Sequence, residues 1–151
     1  ALTQKAHTGN VESVYSSLSC SDIYNVADFL LKWCYDSFGS VVTPKIYKEL
    51  IKNTVEDDFP KTIVKGLIFC LPPEELSTLM ALLQACQLIS AAHEVTKMSA
   101  QALATCIAPN LFYNATETDL KVMQAEAQQC NRIFEYLIEE FPHLLQVNAQ
   151  N

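Results

Sequence analysis

Residues able to act as nucleophiles, bases or metal ligands are few in this chain. The histidines are His7, His93 and His143, and no spacing of Cys and His residues matches a zinc site. His93 is predicted near a helix end, where the helix dipole favours a cation, so a capping role is expected. The carboxylate pairs Glu74-Glu75 and Glu139-Glu140 also fall near predicted helix ends and are interpreted as solvated residues. The sequence therefore indicates no self-contained active site, no metal and no cofactor.

Charged residues limit the classes of partner. The formal net charge is −7, which argues against nucleic acid, because phosphate backbones are bound by Lys and Arg. Arg132 is the only arginine among the ten basic residues. The three glycines are not clustered, which excludes a phosphate-cradling loop.

The cysteines indicate a reducing compartment. They are interpreted as reduced thiols, mostly on apolar helical faces of an intracellular protein. No stretch of the sequence has the pattern of a signal peptide or of a membrane-spanning helix, so a cytoplasmic location is expected. The six residues are Cys20, Cys34, Cys70, Cys86, Cys106 and Cys130.

Helical periodicity runs through most of the chain, and no segment alternates like a strand. The predicted fold is therefore an all-α helical bundle, a single domain over residues 1–151. The helix at 73–93 is apolar on most of its circumference and is expected to be central. Caps, prolines and periodicity place helices at 22–37, 44–52, 61–70, 73–93, 99–108 and 117–141.

Two expectations concern the last third of the chain. The helix capped by Ser99 is predicted to stop before Pro109, with a turn at Pro109-Asn110-Leu111. The final helix carries one apolar stripe at helical spacing, which predicts a core face. Its members are Leu120, Met123, Ala127, Cys130, Phe134, Leu137 and Phe141.

The helix at 22–37 has two distinct faces. Tyr24, Leu31 and Tyr35 form a stripe about 80–120° away from the predicted buried face. That stripe is either extended core or a partner-binding surface, since aromatic residues are favoured in interface cores. The buried face comprises Ile23, Val26, Ala27, Leu30 and Cys34.

A family resemblance rests mainly on residues 71–112. Leu71-Pro72-Pro73-Glu74 opens the long apolar helix, Lys97-Met98-Ser99 follows it, and Leu103 leads to Pro109-Asn110-Leu111-Phe112. This succession resembles the RhoGAP domain family, and looser similarity extends over about residues 4–141. The resemblance implies an all-helical module that binds Rho-family small GTPases and accelerates GTP hydrolysis through an arginine inserted in trans.

The chain departs from the family pattern at the positions that the family uses for GTPase binding and activation. Residues 2–9 resemble the segment just after the arginine loop, so the chain is expected to lack its N-terminal finger-loop segment. The Lys and Arg that the family carries on the helix matching 22–37 are here Leu31 and Tyr35, and Lys32 is one residue out of register. Thr96 stands where the family has an asparagine before Lys97-Met98.

The resemblance therefore implies a GTPase-binding surface without a catalytic residue. Its expected members are Tyr24, Leu31, Lys32, Tyr35, Lys97, Met98, Pro109 and Asn110.

Three functions remain open from the sequence. The first is a module that binds a Rho-family small GTPase in signal transduction, with weak or absent activation. The second is an active GTPase activator whose arginine lies outside this chain. The third is a scaffold that binds peptides or lipids without GTPase contact. Association with membranes through flanking domains is left open in each.

Overall fold

The computed structural model describes residues 23–112 and 116–149. The chain divides into two compact units, residues 1–39 and residues 40–151. Seven helices and no strand lie in the described ranges, which confirms the predicted all-α class. They are α1 (Ile23–Phe38), α2 (Pro44–Asn53), α3 (Lys61–Phe69), α4 (Pro73–Ala91), α5 (His93–Thr96), α6 (Ala100–Leu111) and α7 (Leu120–Ala149).

Helix α1 is the described element of the first unit. It ends at Gly39, whose φ of 68° suits a residue without Cβ and whose N–H donates to Tyr35 O at 2.7 Å. Cys34 is buried as predicted, whereas Ala27 and Leu30 are exposed, so the expected buried face is wrong at those two positions. Apolar spacing defines a helix face, but burial requires a neighbouring element along its whole length. The side chains of Ile23 and Val26 lie outside the described ones.

Helix α4 packs against α5, α6 and α7 through its apolar side. Leu79, Leu83 and Cys86 are almost fully buried, whereas Leu88 is 63% exposed. One side of the helix is thus buried through its middle turns, whereas Ser77, Ala81 and Gln84 on the opposite side are exposed. Its start follows the sequence signal, with Pro73 at the first helical position and Glu74 and Glu75 in the first turn.

The core of the second unit is built around α7, which packs against α2, α4 and α6. Phe134 is fully buried, and its ring meets Phe112 edge-on with centroids 6.4 Å apart. The predicted stripe is confirmed as core at Cys130, Phe134, Leu137 and Phe141. It is wrong at Leu120, Met123 and Ala127, which are exposed.

Two prolines lie inside helices, contrary to the predicted ends. Helix α6 continues through Pro109 to Leu111, so the predicted turn is the last helical turn. Helix α7 continues through Pro142 to Ala149 instead of ending at 141. The end of α6 is held from outside the helix, because Val42 N–H donates to Leu111 O at 3.1 Å and the Ser40 hydroxyl lies 2.9 Å from the same oxygen. Such long-range bonds satisfy a carbonyl that a helix end leaves unpaired.

Candidate functional site

The predicted surface residues lie on three segments. One is α1, another joins α5 to α6, and the third is the last turn of α6. Tyr24, Leu31, Lys32 and Tyr35 belong to the first unit, whereas Lys97, Met98, Pro109 and Asn110 belong to the second.

On α1, the aromatic stripe is at least partly accessible. The Tyr35 side chain is 51% exposed, Lys32 is exposed, and Leu31 is half-buried. Leu31 and Tyr35 are one turn apart, so they lie on the same face of α1. Tyr24 is in the first turn of α1, and its side chain is outside the described ones. Tyr35 is therefore a surface residue rather than part of an extended core.

Lys97 occupies an unusual backbone conformation between α5 and α6. Its φ is 60° and its ψ is 18°, and Lys97 N–H donates to His93 O at 2.8 Å, which ends α5. Lys97 is exposed and Met98 is half-buried. Ser99 is the N-cap of α6, as predicted, with its hydroxyl oxygen accepting from Ala102 N–H at 3.2 Å.

Pro109 and Asn110 lie at the other end of α6. Pro109 is exposed, and Asn110 is half-buried, with its Nδ2 donating to Cys106 O at 3.2 Å. The 12 residues of α6 rise by about 18 Å at 1.5 Å per residue. The structure therefore places Lys97-Met98 and Pro109-Asn110 at opposite ends of one helix rather than in one cluster.

A partly open, mainly apolar cleft of about 160 Å³ adjoins Pro109 and was not foreseen from the sequence. Met123 and Ala127, predicted as core, line it instead. The phenol of Tyr47, which donates to Glu126 Oε2 at 2.6 Å, forms part of one wall. Spacing along one helix could not reveal this cleft, because α2, α6 and α7 all contribute to it. Its lining comprises Tyr47, Pro109, Phe112, Glu117, Met123, Glu126, Ala127 and Cys130.

Arg132 is held in a structural position. Its Nη2 donates to Thr54 O at 3.2 Å, and its Nη1 forms an ion pair with Asp57. The guanidinium thus ties α7 to the loop after α2. Both contacts would have to break before this group could reach into another protein.

Other reactive side chains in the described part of the chain also have structural surroundings. His93 Nδ1 lies 3.1 Å from Ser90 O, near the end of α4, in agreement with the expected capping role. Burial raises the pKa of the Cys86 thiol to about 11 and that of Cys130 to about 12, so both are protonated at neutral pH. Cys34, Cys70, Cys86, Cys106 and Cys130 form no disulfide, whereas Cys20 lies outside the described residues.

Two further kinds of site, a metal site and a membrane-spanning helix, can be judged for residues 23–112 and 116–149. Within these ranges no group of three or more His, Cys, Asp or Glu side chains is placed to hold a metal ion. None of the described helices combines the length and apolar character needed to cross a bilayer.

Comparison with known proteins gives one match. The family model described as RhoGAP domain matches residues 1–116, which is most of the chain and includes parts of both compact units. No curated protein and no solved structure matches the chain.

Proposed function

The chain belongs to the RhoGAP domain family, and from that membership we propose that it binds a Rho-family small GTPase with little or no acceleration of GTP hydrolysis by itself. The family regulates GTPases, which connects the chain with Rho-type signalling. In this chain GTPase binding is retained, whereas the stabilisation of transition-state charge is not.

The structural role of Arg132 is the observation on which the proposal depends. An arginine finger must leave its own protein and place a guanidinium beside the phosphoryl group in transfer. Arg132, the only arginine here, is instead engaged by Thr54 O and by Asp57. Hydrogen-bond donors that stabilise the charge developing in a transition state usually make the largest contribution to the rate acceleration. Without such a donor, most of the acceleration of GTP hydrolysis is lost.

The surface of α1 supports the binding part of the proposal. Tyr35 is half-exposed beside Leu31, where the family pattern has charged residues. An aromatic and aliphatic surface suits the desolvated centre of a protein interface. We place Tyr24, Leu31, Lys32, Tyr35, Lys97, Met98, Pro109 and Asn110 at the contact with the GTPase.

The test uses the whole chain and a panel of purified Rho-family GTPases, each loaded with GDP or with a non-hydrolysable GTP analogue. At least one member is expected to bind, and single-turnover GTP hydrolysis should rise less than about tenfold, against roughly 10³–10⁵ for an arginine finger. Absence of binding to every member would overturn the proposal and favour the scaffold alternative. Strong acceleration would show an active GTPase activator.

A variant of Tyr35 tests the location of the surface. Tyr35→Glu is expected to weaken GTPase binding more than about thirtyfold, the size of an interface hot spot, with little change in unfolding free energy. Val55→Glu is the matched control, because Val55 is 70% exposed and lies in the loop after α2, outside the proposed surface. Equal effects of the two variants on binding would exclude a specific role for Tyr35.

A further inference from the structure

Thr96 is placed to control the conformation of the segment that carries Lys97. Lys97 is the only non-glycine residue with positive φ in the described ranges, and a Cβ disfavours that region. A lysine remains there only when surrounding contacts hold the backbone. The contacts around Thr96 are of this kind.

The Thr96 hydroxyl bridges two elements. It donates to Ile89 O in the last turns of α4 at 3.0 Å, and it accepts from Met98 N–H at 3.3 Å. One side chain thus links the end of α4 to the residue just after Lys97. The neighbouring bond from Lys97 N–H to His93 O closes the same turn from the other side.

Lys97 points its charge into an accessible region. Its side chain is exposed, and no ion pair to it is found among the side chains that the structure describes. The ammonium is therefore available to an acidic group on another molecule. The direction in which this ammonium is presented to a partner depends on the backbone conformation at Lys97.

We propose that Thr96 is a positioning residue: its hydroxyl holds Lys97-Met98 in the conformation that presents Lys97 to the Rho-family GTPase. This inference depends on the proposed function. It also accounts for a departure from the family pattern, since asparagine, like threonine, has a side chain that both donates and accepts. The replacement therefore keeps the hydrogen-bonding capacity needed at this turn.

The test compares Thr96→Val, which keeps the shape and removes the hydroxyl, with Thr96→Ser and Thr96→Asn, which keep a donor and an acceptor. Thr105→Val is the matched control, since the Thr105 hydroxyl donates only to Gln101 O within its own helix. In the 151-residue chain, Thr96→Val should make Met98 amide exchange several-fold faster. Its affinity for any GTPase that the wild type binds should also fall by about threefold to tenfold, which is the effect of losing one to two hydrogen bonds.

A double-mutant cycle separates positioning from general stability. In the Lys97→Ala background, Thr96→Val should have no further effect on affinity, because the group that it positions is gone. Thr96→Ser and Thr96→Asn should retain most of the wild-type affinity. The inference is overturned if Thr96→Val binds like the wild type, or if its effect is unchanged in the Lys97→Ala background. If the wild type binds no GTPase of the panel, the proposed function itself fails, which is a different outcome.

Discussion

The phenol of Tyr47 on α2 donates a 2.6 Å hydrogen bond to Glu126 Oε2 on α7. Burial and the Glu126 carboxylate both raise the pKa of the Tyr47 hydroxyl, so it stays protonated as a donor at neutral pH. The bond joins two helices at the wall of the cleft beside Pro109. The bond therefore fixes α2 against α7 beside Pro109, which is one of the predicted GTPase contacts.

Tyr47→Phe should lower the unfolding free energy by about 1–2 kcal/mol, because it removes a hydrogen bond to a charged acceptor while keeping the buried ring. Urea denaturation measures the change. Tyr136→Phe is the comparison, since the Tyr136 hydroxyl is buried beside Lys65 and Glu140 but not within good hydrogen-bond geometry, so its removal should cost less than removal of the Tyr47 hydroxyl. A neutral Tyr47→Phe would show that the bond adds nothing to stability.

Arg132→Lys should lower stability by about 1 kcal/mol, because one ammonium reproduces the guanidinium contacts to Thr54 O and Asp57 poorly. The rate of GTP hydrolysis by any bound GTPase should stay the same. Denaturation and single-turnover hydrolysis provide the two readouts, with Lys121→Met, at an exposed position on α7, as control. A fall in hydrolysis rate at unchanged affinity would assign Arg132 a catalytic role and contradict the proposed function.

The ion pair between Lys65 and Glu140 should make stability depend on pH. Lys65 Nζ lies 2.9 Å from Glu140 Oε2, and this bond lowers the pKa of Glu140 below its ordinary 4.5 and raises that of Lys65 above 10.5. The contribution of Glu140 to the unfolding free energy is therefore present above about pH 4.5, and it is lost as the pH falls through the lowered folded-state pKa of Glu140. The contribution of Lys65 to the unfolding free energy is lost only when the pH rises through the raised folded-state pKa of Lys65.

Lys65→Met, which keeps the apolar stem, should cost roughly 0.5–1 kcal/mol near neutral pH, since both side chains are partly exposed. The cost should shrink as the pH falls through the lowered folded-state pKa of Glu140, because the carboxylate then becomes protonated in both variants. Denaturation at several pH values provides the measurement, with exposed Lys48→Met as the comparison. A cost independent of pH would mean that the pair is not the source of the effect.

Cysteine alkylation should follow burial. Cys70 and Cys106 are exposed and should react with iodoacetamide in the native protein. Cys34, Cys86 and Cys130 are buried with raised thiol pKa values, so they should react only after unfolding. Mass spectrometry of peptides separates the sites. Rapid native labelling of Cys130 would contradict the packing of α7.

The helices and most of their starts were predictable because they depend on neighbouring residues. Pro44 and Pro73 open helices at the predicted positions, Gly39 ends α1, and Ser99 caps α6. The motif between Leu71 and Phe112 also identified the family correctly. All these features are local, so the order of residues along the chain is sufficient to determine them.

Features that depend on distant residues were decided by packing. The apolar stripe of α7 is core from Cys130 onward but lines a cleft at Met123, because only part of that face meets another helix. Helix α6 passes through Pro109, with Ser40 and Val42 completing the bonding at its end. Arg132 became an anchor for the loop after α2, and Thr96 became a bridge to α4. Periodicity states which residues share a face, but the partners of that face come from remote parts of the chain, and only the folded arrangement supplies them.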